Sequence, residues 1–229
     1  ITSDDSNVWN MLHIIAECAD LRQSKRSDPI DTDRFQSFIK SLPVMMNVGE
    51  LERFMQVQPP PKSDFQNYFA AMHTFLLQMV YHSSQTCARR SKVNWRGGTQ
   101  EWGPVFWGAL HLLASRSADS EQGRKMFILN FEITLPCEMC RKDTAIIVDG
   151  FKHKLDEIVK SREKTSQLFI DIHDQVNKKL GKPMFQKSSF AMSENVKKGV
   201  IALSAVSVIG ILIYFIYQRT RKNRSFTVA

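Results

Sequence analysis

Apolar side chains recur at intervals of three and four residues along most of the chain, which is the spacing of one face of an α-helix. The first stripes of this kind lie within residues 9–19, 35–42 and 65–79. Pro43 is expected to end the second helix, because proline has no backbone N–H with which to continue it. Alternation with a period of two, typical of strands, does not extend over a useful length. The pattern predicts an N-terminal helical unit over residues 1–95.

A polar segment containing Gly97 and Gly98 separates this unit from a second helical region at residues 96–185. Its predicted helices cover residues 104–116, 120–134, 136–148, 154–161 and 165–180. Pro104 suits the first turn of its helix, and Gly181 ends the last one. No internal repeat is visible in the sequence. The expected fold is all-α, with a helical bundle that follows a helical extension.

A continuous apolar run follows the bundle. Val200–Tyr217 contains 18 residues without a charge, enough to cross the roughly 30 Å hydrocarbon core of a bilayer. Basic residues stand at both ends of the run, which is unusual for a buried core helix. We expect residues 186–198 to be a spacer, 199–217 a transmembrane helix and 218–229 a basic tail. The lipid bilayer is therefore an expected partner of this single-pass membrane protein.

The composition is that of a globular protein, with 43% hydrophobic and 24% charged residues. The net charge is +8, but residues 186–229 carry seven basic residues and one acidic residue. The rest of the chain is almost neutral, which argues against a nucleic-acid-binding face. The positive charge of residues 218–229 favours a cytosolic tail, which would place the helical domain on the other side of the membrane. An anchor so close to the C-terminus instead suits a cytosolic domain. The side of the membrane on which the domain lies stays open.

The sharpest local feature is the motif CEMC at residues 137–140, directly after Pro136. Cysteines three residues apart on a helix share a face and can close a disulfide. At the start of a helix, the leading sulfur lies near unbonded N–H groups, which stabilise a thiolate. This arrangement favours thiol–disulfide exchange. The alternatives are half a zinc site, completed by His111 and His173, and a pair of inert thiols.

Two further pairs lie on the helices that flank this motif in sequence. Trp107 and His111 are four residues apart on one predicted helix, and His173 and Asn177 are four apart on another. Taken singly, each pair fits a packed core or a surface contact. Together with the CxxC helix, they could line a pocket with flat stacking surfaces and polar ends, as a planar cofactor requires.

Three strings carry a resemblance to a known family: WGPVFWGALHLLA at 102–114, LPCEMCR at 135–141 and HDQVNKKLGKP at 173–183. Residues 102–183 resemble the Erv/ALR sulfhydryl oxidases, whose fold is a four-helix bundle with a short fifth helix. The resemblance implies an FAD-dependent thiol oxidase that forms disulfides in protein dithiol substrates. It also implies that electrons pass to molecular oxygen, giving hydrogen peroxide. The extension before the bundle resembles the layout of baculoviral members, and LPCEMCR resembles members from other large DNA viruses.

The resemblance also assigns roles to single residues. A substrate thiolate would attack Cys137, and Cys140 would face the flavin. The residues that would contact FAD are Trp107, His111, Cys140, His173, Val176, Asn177, Lys179 and Lys182, the two lysines through the pyrophosphate. No metal is implied. Asp174 departs from the family, which has Asn there, and Ser115-Arg116 stands where an aromatic pair is common.

Several alternatives stay open at this level. Family members commonly form homodimers through the bundle, but residues 1–95 could cover that face within one chain as an intrachain pseudo-dimer. Cys18 and Cys87 are expected to be buried or incidental thiols rather than a shuttle disulfide. The rival functions are a tail-anchored structural or adaptor protein whose CxxC binds zinc or merely packs, and a scaffold that has lost its activity. For a viral protein, the expected location is a virion or host membrane.

Overall fold

The computed structural model describes residues 3–24, 28–80 and 93–184, and every regular element in those ranges is helical. The prediction of an all-α fold is therefore confirmed for this part of the chain. The first four helices are α1 (Ser3–Gln23), α2 (Thr32–Met46), α3 (Glu50–Val57) and α4 (Phe65–Met79). They are followed by α5 (Thr99–Arg116), α6 (Glu121–Ile128), α7 (Glu138–Phe151), α8 (Leu155–Ile158) and α9 (Arg162–Lys179). Short 3-10 turns occupy Trp95–Gly97, Phe131–Thr134 and Lys152–Lys154.

Helix α2 continues beyond Pro43 to Met46, so the prediction that this proline ends the helix is wrong. The helix ends at Asn47, whose backbone is left-handed with φ 55° and ψ 47°. The next N–H, that of Val48, donates to the Pro43 carbonyl at 3.1 Å and closes the last turn. The start of the helix is set by Asp31, whose carboxylate accepts the backbone N–H of residue 34 at 3.0 Å.

The helix predicted at 120–134 is interrupted between α6 and the following 3-10 turn. Asn130 ends α6, because its side-chain amide donates to the Met126 carbonyl at 2.7 Å. The guanidinium of Arg34 in α2 takes the neighbouring carbonyl, that of Leu129. Arg34 is 95 positions away in sequence, so apolar periodicity could not have located this break.

Helix α5 begins at Thr99, before Pro104, which therefore lies inside the helix rather than in its first turn. The chain enters α5 through Gly98, whose φ of +101° is a conformation that residues with side chains rarely adopt. Helix α3 is an element that the apolar pattern does not predict. Its eight residues bury Leu51 and Phe54 and leave most of the others in contact with solvent.

The described residues form one compact unit with a single hydrophobic core that runs through both helical regions. Helix α1 packs against α4 and α5, α2 packs against α6, and α5 packs against α9. Buried phenylalanine rings join these layers. The centroid of Phe127 in α6 lies 5.3 Å from that of Phe38 in α2 and 5.9 Å from that of Phe169 in α9. The helices that carry the candidate site are thus fixed on both sides.

The predicted spacer, transmembrane helix and basic tail lie outside the described residues, as does Cys87. Within the described ranges, no helix is both long and apolar enough to cross a bilayer. The predicted boundary near residue 95 falls at the 3-10 turn that precedes α5.

Candidate active site

The two cysteines of the CxxC motif lie at the N-terminus of α7 and are joined by a disulfide. Their Cα atoms are 5.1 Å apart. Cys137 is the N-cap residue, and its sulfur accepts the Cys140 N–H at 3.2 Å, where a serine or aspartate oxygen usually does so. Both side chains are partly buried and pack against the core. The backbone N–H groups and the positive end of the helix dipole therefore lie beside the sulfur on which a thiolate would form.

Two arginines with little exposed surface hold the segment that leads into the motif. Arg141 donates to the Leu135 carbonyl at 2.7 Å, and Arg22 of α1 donates to the Ile133 carbonyl at 2.7 Å. Asp28 lies between the two guanidinium groups and forms an ion pair with each. The N-terminal unit thereby positions the backbone of the CxxC segment. Asp28 is 113 residues from Arg141, so no local spacing in the sequence reveals this network.

The predicted aromatic and imidazole residues come together between α5 and α9. Trp107 stacks on His173 with 4.2 Å between ring centroids and 6° between ring planes. His111 Nε2 lies 3.0 Å from His173 Nδ1, a hydrogen bond between the two imidazoles. All three side chains are only partly buried. They form a flat wall, which we call the Trp–His wall, and part of it faces solvent.

Burial lowers the pKa of both imidazoles in this wall to about 4. The pKa of His111 is lowered further by the charge of His173, and that of His173 by the charge of Lys182, while Asp174 raises both. Both rings are therefore neutral at pH 7, each with one donor and one acceptor nitrogen. A flat, neutral surface with polar edges suits a planar ring system.

The remaining predicted FAD contacts lie at the C-terminal end of α9. Val176 and Asn177 are partly buried, and the Asn177 carbonyl accepts the Lys182 N–H at 2.8 Å. The side chains of Lys179 and Lys182 are both exposed. Lys179 forms an ion pair with Asp143 of α7, which gives its ammonium a carboxylate partner. This ion pair ties the CxxC helix to α9.

Cys18 lies in the core, as expected, with 4% of its surface exposed, and burial raises the pKa of its thiol to about 12. Such a thiol is protonated and unreactive at neutral pH. In the described part of the chain, no group of three or more His, Cys, Asp or Glu side chains is placed to hold a metal ion. His111 and His173 contact each other and do not complete a zinc site with the CxxC pair.

The same constellation occurs a second time, in the N-terminal unit. Trp9 and His13 of α1 repeat the spacing found in α5, and Trp9 stacks on His73 of α4 with 3.8 Å between centroids and 4° between planes. His13 Nε2 lies 3.4 Å from His73 Nδ1. These two histidines are 60 residues apart, against 62 for His111 and His173. The structure therefore contains a repeated arrangement of three side chains that is not visible as a repeat in the sequence.

These features define a class: an all-helical protein with a disulfide-bonded CxxC at a helix N-terminus, on a helix packed against the one that completes a Trp–His wall. Residues 104–197 match the model of the Erv1 / Alr family. The chain belongs to this family, which confirms the resemblance drawn from its sequence motifs.

Two curated relatives are viral. "Putative FAD-linked sulfhydryl oxidase 347L" of Invertebrate iridescent virus 6 is 32% identical over 95 residues, 38% of this chain and 86% of the relative. "FAD-linked sulfhydryl oxidase" of African swine fever virus is 32% identical over 94 residues, 39% of this chain and 76% of the relative. No solved structure matches the chain significantly.

Proposed function

We propose that the protein is a membrane-anchored, FAD-dependent thiol oxidase that forms disulfides in protein dithiol substrates. The observation that carries the proposal is the Cys137–Cys140 disulfide at the N-terminus of α7. An oxidised CxxC pair can accept the two electrons of a substrate dithiol. The Trp–His wall on the neighbouring helices supplies a neutral, flat surface for a flavin or adenine ring. The names of the viral relatives support the same cofactor and reaction.

The reaction begins when a substrate thiolate attacks Cys137 Sγ. A bond forms between the substrate sulfur and Cys137 while the Cys137–Cys140 bond breaks, and Cys140 leaves as a thiolate. A second substrate thiolate then attacks the mixed disulfide, so that the substrate leaves as a disulfide and Cys137 as a thiolate. The substrate has lost two electrons and the CxxC pair has gained them. Bound FAD supplies the acceptor that returns the pair to its disulfide, with molecular oxygen as the final acceptor and hydrogen peroxide as the product.

The surroundings of the two sulfurs support this division of roles. Cys137 precedes the exposed first turn of α7, in which Met139 is 65% exposed. Cys140 is followed by Arg141, whose side chain is held in the interior by the Leu135 carbonyl and Asp28. Cys137 is therefore the sulfur that an incoming protein can approach, and Cys140 is the one that the fold holds in place.

The residues that would hold FAD are the Trp–His wall together with Val176, Asn177, Lys179 and Lys182. Lys182 is close enough to His173 to lower that imidazole's pKa, so its charge would lie near the pyrophosphate. Lys179 would share its charge between Asp143 and the ligand. Asp174 raises the pKa of both imidazoles, so its carboxylate adds negative charge where the family has an amide.

The absorbance spectrum of the purified protein, with and without a small dithiol, tests the proposal. A flavin band that the dithiol bleaches and oxygen restores supports it, whereas a colourless protein with bound zinc supports the adaptor interpretation. Cys137→Ser is expected to abolish turnover and leave a Cys140 thiolate beside the flavin, seen as a long-wavelength absorbance band. Cys140→Ser should also abolish turnover, without that band, and trap substrate on Cys137 as a mixed disulfide. Full activity of either variant would exclude the CxxC as the redox pair.

The membrane anchor is proposed from the sequence of Val200–Tyr217 and the basic residues that flank it. Digestion of sealed vesicles with a protease tests both the anchor and its orientation. Protection of the domain places it inside the vesicle or compartment, and digestion places it on the outer, cytosolic side. Extraction of the whole chain by high salt or carbonate alone would contradict a spanning helix.

We also propose that the N-terminal unit takes the place of a second subunit, as an intrachain pseudo-dimer. Helices α1 and α5 carry the repeated Trp and His positions and pack against each other. The face of α5 that contacts α1 is thereby unavailable to another copy of the chain. Sedimentation of the detergent-solubilised protein should give a monomer, and a stable dimer would contradict this arrangement.

A further inference from the structure

A surface groove of about 630 Å³ lies beside the disulfide, between α1, the start of α5 and the CxxC segment. Cys137 is one of its lining residues, and Cys140 is not. The groove is also lined by Leu21, Trp95, Arg96, Trp102 and Pro136. The groove is therefore lined by the cysteine that the proposed reaction makes the target of the substrate thiolate.

The walls of the groove are mostly apolar and are held in place by the N-terminal unit. The indole N–H of Trp95 donates to a carboxylate oxygen of Glu17 in α1 at 3.0 Å. Trp102 is 5% exposed and packs edge-on against Phe106, with 5.5 Å between centroids. Leu21 of α1 completes this apolar side. A segment that enters the groove would bury an apolar side chain against the Trp95 indole and Leu21, which are only partly buried.

One cation stands at this apolar surface. Arg96 is exposed, with its guanidinium carbon 5.3 Å from the centroid of the Trp95 ring. Within residues 3–24, 28–80 and 93–184 it makes no hydrogen bond or ion pair. The carboxylate of Glu17 accepts the Trp95 indole N–H, and the side chain of Glu101 lies beside Gly97; among the described residues neither forms an ion pair with Arg96. The positive charge of Arg96 is therefore available to a ligand.

We propose that this groove docks the cysteine-bearing segment of the protein substrate and selects segments with an acidic and an apolar side chain close to the reactive cysteine. The apolar side chain would pack on Trp95 and Leu21, and the carboxylate would pair with Arg96. The substrate thiolate would then attack Cys137, forming the mixed disulfide and releasing Cys140 as a thiolate. The inference rests on the proposed thiol oxidase function, because only that function makes Cys137 an electrophile.

The selection can be tested on the whole chain with two dithiol peptides. Both carry a leucine beside the reactive cysteine, and they differ only in having Glu or Lys at the neighbouring position. We expect kcat/KM to be about two- to fivefold higher for the Glu peptide, the size of one exposed charge pair. Arg96→Glu should reverse the preference and Arg96→Lys should keep it. Arg53→Glu makes the same charge change on the exposed face of α3, away from the groove, and should leave the ratio unchanged. About 0.5 M salt should reduce the preference toward one.

The ratio of the two peptides separates this inference from the proposed function. Equal rates for both peptides in the wild type, or a preference that survives Arg96→Glu, would overturn the selection while leaving the oxidase intact. A preference for the Lys peptide would show that the groove takes basic segments and would equally overturn it. If neither peptide nor a small dithiol is oxidised and no flavin is bleached, the proposed function itself fails.

Discussion

The two helical regions, residues 3–80 and 93–184, are called the first and second halves; they contain the same three side chains in the same arrangement, but the tryptophan and the first histidine are buried to different depths. In the first half, Trp9 and His13 are each 4% exposed, whereas His73 is partly buried. In the second half, Trp107, His111 and His173 are only partly buried and present a wall to solvent. A Trp–His stack can thus be deeply buried or open to solvent. The residues around it decide whether it stabilises the fold or receives a ligand.

The positions that follow the last imidazole show how the difference arises. Four residues after His173 comes Asn177, whereas Leu77, 4% exposed, holds the equivalent position after His73. Six residues after it comes Lys179, against Met79 in the first half. Apolar side chains thus replace the polar and cationic ones. The cavity of about 150 Å³ beside Trp9 is lined mostly by apolar side chains.

The largest expected effect is on folding, from Trp9→Ala. Truncation of a fully buried tryptophan should cost about 3–5 kcal/mol of unfolding free energy, because it removes the stack on His73 and leaves a cavity. Trp107→Ala is the matched control, and it should cost less stability but weaken flavin binding. Chemical denaturation of both variants measures the difference. A larger loss of stability for Trp107→Ala would mean that the two halves have been assigned the wrong roles.

The second prediction concerns the cofactor. His173→Ala with Asn177→Ala removes a stacked ring and a polar edge, and it should weaken flavin binding by about 30- to 1000-fold, since each contact contributes about 1–2 kcal/mol. The helical fold should remain. The equivalent pair in the first half, His73→Ala with Leu77→Ala, should lower stability and keep the flavin. Retention of flavin by the first double variant would remove these residues from the site.

The sequence predicts those parts of the site that depend on short spacings. The CxxC motif and the Trp107 and His111 pair each lie on one helix, so helical geometry alone places them. The repeat in the first half escapes notice because only three side chains recur, and two of them, His13 and His73, are 60 residues apart. The spacing of apolar residues is the same whether a Trp–His stack is buried or faces solvent, so it does not predict which of the two stacks could bind a ligand.

Contacts between distant segments account for most of what the sequence does not predict. Asp28 binds Arg141 across the boundary between the halves, and Arg34 of α2 donates to the Leu129 carbonyl at the end of α6. Neither contact has a local signature. Helix α2 continues past Pro43 and ends where Asn47 adopts a left-handed backbone conformation, an end that the apolar pattern does not mark.

The third prediction tests whether the halves are packed as one unit. A Cβ atom added at Gly123 of α6 would lie 2.5–2.7 Å from the side chain of Val44 at the end of α2. Gly123→Ala should therefore destabilise the protein by about 1–3 kcal/mol through overpacking. Val44→Ala should recover part of that loss in the double variant. Gly150→Ala is the control, because nothing lies within 4 Å of its added Cβ, and it should be neutral or slightly stabilising. Equal effects of the two glycine substitutions would argue against close packing between α2 and α6.

The smallest expected effect is the dependence of stability on pH. Burial lowers the pKa of His73, His111 and His173 to about 4, against an ordinary value of 6.5. Between these values the unfolded chain binds more protons than the folded one, so stability is fully present above about pH 6.5 and falls as the pH drops toward 4. His73→Gln should reduce this loss of stability at low pH in the ligand-free protein.

Bound flavin should have the opposite effect in the wild type. A ligand that covers the Trp–His wall should bury His111 and His173 more deeply, but not His73, and should therefore increase the loss of stability as the pH drops. His153→Gln is the control, because that side chain is exposed. The midpoint of thermal unfolding between pH 4 and 7, measured with and without flavin, reports on both halves. If His73→Gln leaves the pH dependence of this midpoint unchanged, the stack in the first half does not resist protonation.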